Sequence, residues 1–115
     1  MAAAFEEKRR SPRLRLSIPV HYQVRGSSES NNVVGDNLSV GGISFIGNKF
    51  LAPSTHIMLE LNILSRALSL VGRIAWSLPL PHSDRYRFGI EFMEVEPVER
   101  YYLSDYIDIM MNKVF

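Results

Sequence analysis

A chain of 115 residues with 46% hydrophobic and 22% charged side chains has the composition of one globular domain built on a single core. Its formal charge of +1 argues against a general nucleic-acid coat, which needs a wide basic face, and its lack of cysteine excludes disulfides, thiolate chemistry and Cys-ligated zinc, in keeping with a cytoplasmic location. The start, MAAAFEEKRR, has no apolar stretch after its charges, so no signal peptide is expected. HIMLELNIL and ALSLVGRIAW are too short and too interrupted to insert in a membrane.

The charge is unevenly placed. EKRRSPRLR, residues 7–15, holds five of the thirteen Lys and Arg side chains, from Lys8 to Arg15. It reads either as a solvated tail or as an anion-binding arm. IPVHYQVR then alternates, with Ile18, Val20, Tyr22 and Val24 on one face, which predicts a half-buried strand. GSSESNN (26–32) is a polar loop, VVGDNL a short second strand ended by the Ser39–Gly42 turn, and GISFIG a third strand. HIMLELNI sets Ile57, Leu59, Leu61 and Ile63 on one face. RALSLVGRIAWS aligns Leu68, Leu70, Ile74 and Trp76. After the Pro-rich turn LPLPHSDR, YRFGIEFM aligns Tyr86, Phe88, Ile90 and Phe92.

Six short period-two segments without intervening helices predict an all-β fold, an antiparallel barrel or sandwich with one polar side. The period changes at Pro97, a good first helical residue. Val98, Tyr101, Tyr102, Tyr106, Ile109 and Met110 then recur at spacings of three and four, predicting an amphipathic helix to about residue 113. Its expected place is over an open end or edge of the barrel. Residues 1–16 are expected to form a flexible basic arm and residues 17–115 the folded domain.

Little in the chain points to catalysis. His21, His56 and His82 are not at metal-ligand spacing and read as surface residues. Ser39 in NLSVGG departs from a nucleophile elbow, with Asn37 where a glycine is needed and a strand pattern where a helix should follow. No acidic pair stands out, so no enzyme is expected. Gly41 and Gly42 allow backbone angles closed to other residues and let a ligand approach the main chain. The same stretch also reads as an ordinary tight turn in which Asn37 and Ser39 bond their own backbone. VGRIAW and FGIEF read as core strands. Trp76 reads as core, with base stacking as its alternative role.

Taken in order, R-x-x-x-R at Arg9 and Arg13, N-x-S-x-x-G at Asn37, Ser39 and Gly42, VGRIAW and FGIEF resemble the PilZ domain, a bacterial receptor module for cyclic di-GMP. The resemblance covers essentially the whole chain. It implies a six-stranded antiparallel barrel with one C-terminal helix and a ligand held on its outer surface between the arm and the Asn37–Gly42 turn. It implies cyclic di-GMP contacts from Arg9, Arg13, Asn37, Ser39 and Gly42, with Lys8, Arg10, Gly41 and Trp76 as further candidates. Arg can match a phosphate, or guanine O6 and N7, in bidentate fashion. Asn37 stands where many members have Asp, so a single amide oxygen replaces a carboxylate. Neither a cofactor nor a metal is implied. The expected output is relay to a downstream protein, and the rival reading is a ligand-independent adaptor.

Overall fold

The structure, a computed structural model, describes residues 13–64 and 66–112. Six strands follow one another in the chain: β1 (Ile18–Val24), β2 (Ser30–Ser39), β3 (Gly42–Gly47), β4 (His56–Ile63), β5 (Arg66–Pro79) and β6 (Tyr86–Met93). They close into an antiparallel barrel in the order β1-β2-β3-β6-β5-β4, and the helix α1 (Pro97–Asn112) follows.

Alternation builds the interior. Ile18, Val20 and Tyr22 of β1, Ile57, Leu59, Leu61 and Ile63 of β4, and Phe88, Ile90 and Phe92 of β6 are all buried, while their sequence neighbours mostly face solvent. Tyr22, Phe45 and Phe88 form the aromatic centre, with centroids 5.2 and 5.6 Å apart. The Tyr22 hydroxyl accepts from Asn31 Nδ2 at 3.3 Å, and burial raises its pKa above the usual phenol value.

Three features differ from the sequence reading. First, β2 begins at Ser30, not at Val33, because Ser30, Asn31 and Asn32 pair with Gln23, Tyr22 and His21. The ladder with β1 outweighs their low strand propensity. Second, the inward stripe of α1 is Leu103, Tyr106 and Ile107, flanked by Tyr102 and Met110. Val98, Tyr101 and Ile109, expected to face inward, are exposed. Tyr102, Tyr106 and Met110 of the expected stripe do face the barrel, so the docking face is the expected one shifted toward Leu103 and Ile107. Third, Leu14, which the sequence reading placed in the basic arm, is a core residue at 4% exposure. Its N–H donates to the Leu38 carbonyl at 2.7 Å, and the Leu38 N–H donates back at 2.9 Å. Residues 13–17 thus continue along β2 beyond the start of β1.

Candidate functional site

The turn between β2 and β3 is shaped by a break in pairing. Asp36 faces Ser44 and Ser39 faces Gly42, with a register shift between them. A bulge of this kind bends the strand and re-aims its side chains. The residue that takes the left-handed conformation is Asn37, at φ 57°, a region that asparagine tolerates. Gly41 and Gly42, read from the sequence as the residues with special angles, have no positive φ. The requirement at Gly42 is space, since a Cβ there would overlap the carbonyl oxygen of Ile90 on β6.

In a regular strand Asn37 and Ser39 would share a face and Leu38 the other, but the register shift interrupts that alternation. Leu38 and Ser39 are both buried, at 0% and 7% exposure. The Ser39 hydroxyl accepts from the Gly41 N–H at 3.2 Å and donates to the Gly42 carbonyl at 3.5 Å. It braces the turn. The Phe92 N–H donates to the Gly41 carbonyl at 2.9 Å, which ties the turn to β6.

A second shift does similar work on the facing ladder. Ile74 pairs with Ile90, yet Trp76 pairs with Gly89, so Ala75 is an extra residue in β5. Ile74 stays inside, and Trp76 emerges on the outer surface at 41% exposure. The expectation that Trp76 is core is corrected: one bulged residue reverses its side. Its indole lies over Gly89, so closely that a Cβ at that position would overlap the ring.

These pieces surround one open surface cleft of about 350 Å³. Arg13, Asn37, Ser39, Gly41, Gly42 and Trp76 all line it, together with Glu91. Arg9 and its neighbours Lys8 and Arg10 lie outside the described residues. Glu91, which pairs with Gly42 across one ladder and Arg73 across the other, was not singled out from the sequence. Its only local signal is the polar position inside FGIEF. The Arg73 guanidinium donates to Glu91 Oε1. Below the turn, the Ser44 hydroxyl donates to Asp36 Oδ1 at 2.7 Å, and Arg87 lies 3.8 Å from the same oxygen.

The arrangement suits binding. It combines a guanidinium, an amide, backbone without side chains at two glycines, and an aromatic surface partly open to solvent. Among the described residues no histidine lines it, and the Ser39 hydroxyl is bonded to backbone on both sides.

Likeness to known proteins agrees with this fold. The barrel superposes on the Bacillus subtilis inhibitor of motility MotI/DgrA with a TM-score of 0.75 at 14% identity, covering 90% of this chain and 51% of that one. The chain thus spans about half the length of MotI/DgrA. The PilZ domain of YcgR from Escherichia coli, whose structure contains c-di-GMP, matches with a TM-score of 0.71 at 14% identity, over 93% of this chain and 94% of that one. The PilZ domain of CeSA from a cellulose-synthesizing bacterium gives 0.65 at 17% identity, over 86% and 97%. No curated protein sequence matches the chain. At these identities the superpositions speak to the fold. The sequence itself matches the PilZ domain model over residues 7–108, and the chain belongs to the PilZ domain family.

Proposed function

We propose that this chain is a non-enzymatic, cytoplasmic receptor for cyclic di-GMP that relays the occupied state to a protein partner. The observation that carries the reading is convergence. Arg13, the Asn37–Gly42 turn and Trp76 are far apart in sequence, and they meet around one outer cleft. Of the structural relatives, the YcgR PilZ domain was solved with this ligand.

Each residue has a chemical task in this reading. Arg13, with Arg9 from the preceding arm, pairs with phosphate or with the O6/N7 edge of guanine. The amide of Asn37 meets a base edge. The backbone at Gly41 and Gly42 lets the ligand lie close to the sheet, and Ser39 holds that backbone in place. Trp76 gives one guanine a face to stack on, worth about 1–3 kcal/mol per base. Lys8 and Arg10 add charge to the arm. The arm is assigned to residues 1–16 and the folded domain to 17–115, with Leu14 as the point where the two join. Among the described residues no helix is long and apolar enough to cross a membrane.

Isothermal titration with cyclic di-GMP, against cyclic di-AMP and GTP, tests the reading. The expected dissociation constant is on the order of micromolar, about −8 kcal/mol. No heat and no thermal shift at roughly millimolar ligand would overturn the receptor and leave a ligand-independent adaptor in its place.

A further inference from the structure

Glu91 is a carboxylate in a cleft assigned to a doubly anionic ligand. By charge alone it opposes binding, so its place there calls for a reason. Arg73 supplies part of one. Its guanidinium donates to Oε1, which offsets the charge and fixes the side chain. Among the described residues Oε2 receives no hydrogen bond. A carboxylate has about four acceptor positions, so even Oε1 keeps capacity.

Position supplies the rest. Gly89 and Glu91 lie two apart on β6, hence on the same face and about 6.7 Å apart along the strand. Trp76 covers Gly89. A base stacked on the free face of Trp76 therefore has an edge within reach of Glu91. Guanine presents two adjacent donors on its Watson–Crick edge, N1–H and the 2-amino group. Two carboxylate oxygens match them in parallel, with charge assistance. Adenine presents an acceptor at N1, which a carboxylate repels. Asn37 has both a donor and an acceptor and so accommodates either base. On that edge an acceptor-only side chain separates guanine from adenine, and among the described residues Glu91 is the one lining the cleft. Resting on the receptor reading above, we propose that Glu91, positioned by Arg73, selects guanine over adenine at the Watson–Crick edge of the base.

The sign of one substitution decides the matter. Glu91→Gln keeps the shape and removes the charge, at a half-exposed position. If Glu91 accepts from guanine, Glu91→Gln weakens cyclic di-GMP binding by about tenfold or more and leaves cyclic di-AMP binding equal or tighter. If Glu91 is only a repulsive surface charge, Glu91→Gln tightens cyclic di-GMP binding, and the inference is overturned. Cyclic di-IMP, which lacks the 2-amino groups, gives a coupling that a structural role would not produce. The wild-type protein should bind it about tenfold more weakly than cyclic di-GMP, and that difference should vanish in Glu91→Gln. Equal wild-type affinity for cyclic di-GMP and cyclic di-IMP overturns the inference without recourse to any variant. A wild-type protein that binds cyclic di-GMP but fails these tests sinks the role of Glu91 alone, whereas one that binds no cyclic di-GMP sinks the receptor reading and this inference with it.

Discussion

The ladders of this barrel are of two kinds. β4 and β5 pair through eight consecutive residues from His56↔Arg73 to Ile63↔Arg66, and β1 and β4 pair through five without a shift. Their inward residues fill the core and their outward ones meet water. The β2–β3 and β5–β6 ladders each contain a register shift, at Asp36/Ser39 and Ile74/Trp76, and both shifts border the cleft. Where alternation holds, the sheet serves the interior. Where one residue is added, Asn37 is turned into a left-handed conformation and Trp76 is delivered to the outside. The site is built from the two interruptions.

Because the bulged half relies on close backbone approach, it should be the half that substitution damages most. Gly42→Val puts a branched side chain against the Ile90 carbonyl and forces β3 away from β6. The expected cost is about 3 kcal/mol or more, a fall in Tm of roughly 10 °C, seen by thermal unfolding followed by circular dichroism. Met58→Ala, on the outer face of the regular β4 and 47% exposed, should change stability by less than about 0.5 kcal/mol. Equal, small effects at both positions would remove the distinction between the two halves.

The same distinction governs what could be read from the sequence. The bounds of β3 and β6 were legible to the residue, as was the inward face of β1 and β4, since period two persists along those two strands. Trp76 was not. Period two sets it beside Ile74, and nothing local in GRIAWS marks Ala75 as an extra residue. The turn was legible as a motif through Asn37, Ser39 and Gly42, which line the cleft, but the division of labour within it was not. The strained backbone belongs to Asn37, the bracing to Ser39, and the need for a missing Cβ to Gly42. Glu91 escaped notice because its neighbours in the site, Gly42 and Arg73, are brought to it only by pairing on both sides of β6. The helix showed its period but not its docking face, which depends on how the chain leaves β6.

Arg13 and Leu14 sharpen the comparison at the root of the arm, where adjacent residues face the outer cleft and the core. Leu14→Ala removes a side chain 4% exposed and should cost about 2–4 kcal/mol of stability. Arg13→Ala should leave stability within about 0.5 kcal/mol and cost roughly 1.5–3 kcal/mol of cyclic di-GMP binding. Paired thermal unfolding and calorimetry separate them. A stability loss in Arg13→Ala equal to that in Leu14→Ala would make the arginine structural.

The smallest expected effect tests whether the second bulge matters for binding or merely places a tryptophan on the surface. Trp76→Ala removes the stacking face and should weaken cyclic di-GMP binding by about 1–2 kcal/mol, with little loss of stability since the ring is already 41% exposed. Gly89→Ala is the finer probe. Its methyl group would occupy space now held by the indole, yet the obstacle is the far end of a side chain rather than backbone. The ring can lift and the ladder can remain. The barrel should keep its Tm within a few degrees while the platform tilts, and binding should weaken by roughly 1 kcal/mol or less, since part of the stacking area survives. The chain has a single Trp, so its fluorescence reports on this ring alone. Cyclic di-GMP should quench it in the wild-type protein, and Gly89→Ala should shift the midpoint of that titration to higher ligand concentration. An unchanged midpoint would show that the base does not rest on Trp76, and the β5–β6 bulge would then have no part in recognition.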